Sequence, residues 1–145
     1  MHHSNLPTWP AYHYGFAAHA ATKSKDTTQV GAALVHGRTV VLTGYNGPPA
    51  GVHDTPDRRE RPAKYLYASH AEANVISHSA RLGIKTEGAS MFVTHHPCAS
   101  CARTIIQAGI ACVVVGPGQT SMPAEEFEAA AVMFAEAGVV VERMG

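Results

Sequence analysis

A chain of 145 residues, 46% of them hydrophobic and 15% charged, can bury one core of sheet and helices but not two, and its apolar runs stay short of the ~20 residues that a membrane-spanning helix needs. Eleven basic residues balance eleven acidic ones with no Lys/Arg-rich run, which argues against a polynucleotide-tracking surface and for a small substrate. Three cysteines form no disulfide framework, and Met1 to Pro10 has neither the basic start nor the apolar stretch of a signal peptide, so the expectation is one domain over 1–145, cytoplasmic and off the membrane.

From Pro10 to about Lys23 alanines and aromatics recur near helical spacing, with Tyr12, Phe16, His19 and Ala20 in step, and predict an N-terminal helix. Ser24 to Gln29 is polar and turn-like. Val30 to Val35 and Thr39 to Tyr45 are short apolar runs on either side of His36 and Gly37, the pattern of an antiparallel hairpin. Asn46 to Gly51 then breaks regular structure with two glycines and two prolines. Val52 to Lys64 shows no periodicity and sets Arg58, Arg59, Arg61 and Lys64 against Asp54, Asp57 and Glu60. It reads as a long charged loop, either simply solvated or serving a phosphate or regulatory role.

The next two segments carry the chemistry. His70, Ala71 and Glu72 open one apolar-periodic stretch, and Pro97, Cys98, Ala99, Ser100 and Cys101 open another. An imidazole and two thiolates suit zinc, and three protein ligands leave the fourth tetrahedral position for water, as a catalytic site requires. Side chains two apart point in different directions on a helix surface, so His70 and Glu72 can share one ion and its water only around the open end of a helix. Both motifs are therefore predicted on first turns, with Cys98 and Cys101 on one face, the helix dipole favouring thiolate, and Pro97 in an early helical position. H-x-E followed by P-C-x-x-C marks zinc nucleobase deaminases, in which the glutamate carries protons and is not a ligand. The rival reading is a structural zinc closed by Cys112, His95 or His96. Of ten histidines only His70 is given metal duty, and the rest are read as solvated or satisfied by local hydrogen bonds.

Val75, Ile76 and Ala80 predict the inner stripe of the His70 helix, which Gly83 ends. Ala89 to Thr94 predicts a strand, Ala102, Ile105 and Ile106 the buried side of the second motif helix up to Gly109, and Ala111 to Val115 a strand enclosing Cys112 as a buried free thiol. Gly116 to Met122 turns, Thr120 or Ser121 can cap, and Glu125, Glu126 and Glu128 favour the start of a helix whose inner face is Phe127, Ala130, Phe134 and Ala137. Gly138 ends it before a last strand, Val139 to Val141. Alternation of strand and helix with right-handed crossovers gives an α/β fold, a three-layer α/β/α sandwich on a five-stranded mixed sheet, whose strands should be apolar where both faces are covered.

Ser24-Lys25-Asp26, Gln29-Val30-Gly31-Ala32, Gly44-Tyr45-Asn46-Gly47, the two zinc motifs, Asn74 and Ile105 to Ile110 stand in the order of one family: the chain resembles the deoxycytidylate (dCMP) deaminases of the cytidine deaminase superfamily. Transfer-RNA adenosine deaminases share the zinc motifs but not the Gly-Tyr-Asn-Gly element. The resemblance implies hydrolysis of dCMP, or a 5-substituted dCMP, to the uridylate. It implies Zn2+ on His70, Cys98 and Cys101, Glu72 as proton carrier, Asn46 at the sugar hydroxyl, and the backbone beside Ala71 and Cys98 at the base edge. Lys25 with Ser24 is expected at the 5′-phosphate, a turn this resemblance puts beside the pocket. Relatives are commonly hexamers regulated by dCTP and dTTP, so a homo-oligomer is expected, with Arg58, Arg59, Arg61 and Arg81 at regulatory or subunit contacts. The family's aromatic after the fourth strand is missing, because Gly116-Pro117-Gly118-Gln119 stands there. Tyr65, Tyr67 or a neighbouring subunit would have to replace it, or the pocket is wide enough for a 5-substituted base. Deamination of another small nucleoside or base, or a non-catalytic zinc-stabilised module, are the alternatives.

Overall fold

The computed structural model describes residues 5–144; Met1 to Ser4, with His2 and His3, and Gly145 lie outside the described residues. Five strands form one mixed sheet in the order β2-β1-β3-β4-β5, with β1 (Gly31–His36) and β2 (Thr39–Tyr45) as the expected antiparallel hairpin. β3 (Ser90–His95) runs antiparallel to β1, and β4 (Cys112–Gly118) and β5 (Val140–Arg143) add in parallel. Helices α3 (Ala71–Leu82), α4 (Ala99–Gln107) and α5 (Ala124–Ala137) cover one face over a core that includes Leu34, Val75, Met91, Ile105, Val113 and Phe134. Helix α1 (Trp9–Ala21) covers the other, over Ala33, Val35, Phe92 and Val114. No described helix is long and apolar enough to cross a membrane.

Several expectations shift. The buried side of α1 is His13, Ala17 and Ala21, while Tyr12 and Phe16 face outward with Trp9. The helix is apolar all round, so periodicity could not choose a face; close approach to the sheet does. A Cβ on Gly31 would collide with the Ala17 carbonyl, and only small residues fit there. In α3 the inner position after Val75 is Ser79 rather than Ala80, its hydroxyl satisfied by the Val75 carbonyl at 2.8 Å. In α5, Phe127 and Ala137 are not buried as Ala130 and Phe134 are. Its N-cap is Pro123, and Thr120 instead accepts the Met122 N–H.

β5 is an exposed edge, because α1 leaves that end of its face uncovered, so the apolar Val139 to Val141 does not report a strand buried on both sides. Cys112 is half-buried. The charged loop also has structure of its own: a 3-10 turn at Pro56–Arg59 and a short helix, α2 (Lys64–Tyr67).

Candidate active site

Both motif segments begin a helix on the same side of the sheet. His70 is the N-cap residue of α3 and Cys98 that of α4, each with extended backbone, and neither makes a side-chain cap bond. At N-caps the side chain normally satisfies one of the free N–H groups of the first turn. Here those positions hold metal donors instead, and Pro97 stands just before the helix rather than inside it. Glu126 of α5 accepts the Ala99 N–H at 3.2 Å, so a neighbouring carboxylate does the capping of α4.

The donor atoms of His70, Cys98 and Cys101 lie within 4.8 Å of one another. Nδ1 of His70 is 3.3 Å from the Cys101 sulfur and 3.5 Å from that of Cys98. One borderline-soft ion fits among an imidazole and two sulfurs so placed. The hydrogen bond from Cys101 lowers the Cys98 thiol to about 4 despite its burial, while the same bond and burial push Cys101 up. A hydrogen bond with Cys98 raises the His70 imidazole. A thiolate is thus favoured next to a ring nitrogen before any metal arrives, and metal binding then competes with the proton on Cys101. Glu72, 4% exposed, has its carboxyl raised by burial, opposed by its own backbone N–H and by His70.

Next to these groups is a cavity of about 290 Å³, lined by His70, Ala71, Glu72 and Cys98 and also by the half-buried Lys64 and the exposed Arg61 and Tyr65. Asn46 lines it too. Its side-chain oxygen accepts the Val30 N–H and its amide donates to the Thr28 carbonyl, both at 2.9 Å, which leaves an N–H and a lone pair for a ligand. Ser24 does not line the cavity; its hydroxyl donates to the Asn46 carbonyl at 2.9 Å and so fixes that residue. Asn74 ties the start of α3 to β2 through the Tyr45 carbonyl at 2.8 Å.

Lys25 is placed elsewhere than the phosphate reading expects. It pairs with Asp54 at 3.4 Å and lines a second cavity of about 240 Å³, together with Lys23, Arg58, Arg59 and Tyr45. Asp26, Asn46, Lys64 and Ala68 line both cavities, and a Lys64–Asp26 ion pair of 3.1 Å stands in that partition. Arg58 lies over the Tyr67 ring at 4.3 Å, Arg61 donates to the Ser121 hydroxyl at 2.6 Å, and Arg81 is exposed on the last turn of α3, in neither cavity. Sequence reasoning gave no site role to Asp26, Thr28, Phe127 or Met122, which line the larger cavity. Asp26 stood in a quoted motif, whereas the last two could be found only through the return of α5 to the site. His95 and His96 line it as well and not as metal ligands, since the cluster of donors is His70, Cys98 and Cys101.

Residues 7–117 match the family described as the cytidine and deoxycytidylate deaminase zinc-binding region. Over 94% of its length the chain is 41% identical to an uncharacterized deaminase in the luxG 3′ region of Aliivibrio fischeri, covering 93% of that protein. It is 39% identical, over 93% of its length, to the deoxycytidylate deaminase of Mus musculus, covering 79% of it. The crystal structure of dCMP deaminase from the cyanophage S-TIM5 in complex with dCMP and dUMP aligns with a TM-score of 0.75 at 26% identity, over 92% of this chain and 94% of the other.

Proposed function

The chain belongs to the cytidine and deoxycytidylate deaminase family, a zinc-dependent deaminase with a His-Cys-Cys site, and from that premise we propose that it converts dCMP, and 5-substituted dCMP, to the corresponding uridylate. The observation that carries this reading is a buried carboxylate, Glu72, in one cavity that is lined both by the metal donors His70 and Cys98 and by the cations Arg61 and Lys64. A planar base needs the first and a monophosphate the second. The named relatives, a mouse deoxycytidylate deaminase and a phage enzyme seen with dCMP and dUMP, support the same substrate.

His70, Cys98 and Cys101 would hold the ion. Bound there, zinc acidifies water and makes hydroxide available near neutral pH. Glu72 would take one proton as water adds to C4 of the ring and pass it to the ring nitrogen, then take the second from the new C4 hydroxyl and deliver it to the amine. The C4–N bond breaks as the C4 carbonyl forms, and ammonia leaves. Free N–H groups of the first turn of α3, at and after Ala71, suit the base edge, and the unused half of the Asn46 amide suits the sugar hydroxyl. Arg61 and Lys64, which line this cavity, suit the phosphate better than Lys25, and Ser24 contributes by holding Asn46.

The second cavity, where Lys23, Lys25, Arg58 and Arg59 outnumber Asp26 and Asp54, suits a more highly charged phosphate. We assign it to dCTP or dTTP as effectors, with Lys64 and Asp26 as the shared wall through which its occupancy would reach the substrate. A homo-oligomer, a hexamer by the family pattern, belongs to the same reading, with Arg81 at a subunit contact. Ammonia release from cytosine, deoxycytidine, dCMP and 5-methyl-dCMP tests the substrate: kcat/KM should be highest for the monophosphates, and equal values for deoxycytidine and dCMP would contradict it.

A further inference from the structure

Gly116-Pro117-Gly118, expected to turn, is instead the last part of β4; it offers no side-chain face of its own towards the substrate, yet the space beside it is filled. Val93 pairs with Val115 and His95 with Gly118, so β4 carries one more residue than β3 between those pairs. Pro117 falls within that bulge, where a proline without an N–H is tolerated. A Cβ on Gly118 would stand 2.5 Å from Cε1 and Nε2 of His95 and 2.6 Å from Nδ1. Near-equal distances to three ring atoms mean that the imidazole lies flat on the glycine. Gly116 makes room for the hydroxyl end of Tyr14 of α1, which a Cβ there would meet first. These glycines are therefore seats for rings brought from other elements.

His95 is fixed at its edge as well. Nδ1 lies 2.7 Å from the Thr94 hydroxyl, and that buried oxygen also accepts the Gly31 N–H at 3.1 Å. Whichever of the two donates, this bond fixes the orientation of the ring. One face of the ring rests on Gly118, one edge on Thr94, and the ring lines the larger cavity. Its free face is what remains to meet a ligand.

We propose that His95 is the flat wall against which the substrate's pyrimidine ring lies, a specificity-determining residue, and that Gly118 is the positioning residue that seats it. This rests on the cytosine-nucleotide reading above. Tyr65 is a poorer wall, because it is largely exposed at the cavity's solvent side, and Tyr67 is covered by Arg58. A wall held at both edge and face is stiff, so it limits bulk at the ring position it faces.

The test measures kcat, KM, zinc content and melting temperature for the wild type, His95→Ala, His95→Phe, Gly118→Ala and the double variant His95→Ala/Gly118→Ala. Wild-type ammonia release, read first, decides the substrate reading by itself; only the ratios of variants to wild type bear on His95. Base–aromatic stacking predicts that His95→Ala loses about tenfold to a hundredfold in kcat/KM, mainly through KM, with zinc retained. His95→Phe, which keeps the flat face, should stay within about threefold of the wild type. Gly118→Ala should resemble His95→Ala, and the double variant should be no worse than either, because both remove the same wall. A zinc-loaded His95→Ala within about twofold of the wild type would overturn the proposal. So would a His95→Phe as impaired as His95→Ala, or losses from the two single changes that multiply in full.

Discussion

The two cavities share a wall and differ in almost everything else. The larger is built on the starts of two helices, with Glu72, Cys98 and Cys101 buried and their backbone fixed by the core beneath. The smaller is built on loops, and its Lys25–Asp54 pair is 61% exposed on the lysine side. A buried, rigid corner suits chemistry that needs a dry carboxylate at a fixed distance. A loop-built, cationic one suits a phosphate that must come and go, since exposed ion pairs such as Lys25–Asp54 contribute little and give way at small cost. The partition carries the ion pair with the most shielded side chains among the described residues, Lys64 and Asp26, at 12% and 9% exposure.

Removing the metal's ligands should break the comparison most completely. Cys101→Ser or Cys98→Ala is expected to abolish measurable turnover and zinc uptake and to lower the melting temperature, while nucleotide triphosphate binding at the second cavity, followed by calorimetry, survives. Loss of both functions together would mean that the two sites are not separable. The partition comes next. Lys64→Ala leaves the shielded Asp26 carboxylate with the Thr28 N–H but no cation, which should cost about 1–2 kcal/mol and weaken both dCMP and triphosphate binding. Denaturant unfolding reads the first, and Asp26→Asn added to Lys64→Ala should recover part of it.

Smaller effects sharpen the contrast. Arg61→Ala removes a cation from the larger cavity and should raise KM for dCMP by about tenfold, the size of one charge-assisted hydrogen bond, with little change for deoxycytidine. Equal changes for the two substrates would remove Arg61 from the phosphate. Lys25→Ala should alter stability by no more than about 0.5 kcal/mol, as exposed pairs do, and weaken triphosphate binding rather than raise KM for dCMP. A rise in KM alone would return Lys25 to the substrate.

The buried corner was legible in the sequence because its information is local: H-x-E and P-C-x-x-C need only a helix N-terminus each to bring their atoms together. Helix ends at Gly83 and Gly138 were legible for the same reason, both glycines taking positive φ. The loop around Arg58 was not, because its short turns form against Asp54 and Tyr67 rather than from periodicity. Lys25 illustrates the same limit, since one residue's change of direction moves a lysine from one side of the Asn46 wall to the other. The glycines at 116 and 118 looked like an absence. Their meaning depends on Tyr14 and His95, far apart in sequence and brought there by α1 and β3.

The central claim is that Glu72 moves protons and does not hold the metal. Its most direct test is one preparation of Glu72→Gln in which zinc per chain and kcat for dCMP are both measured. The expected result is one zinc per chain with turnover almost entirely lost. Normal turnover with zinc in place would contradict the mechanism, and loss of the zinc would make Glu72 a ligand instead.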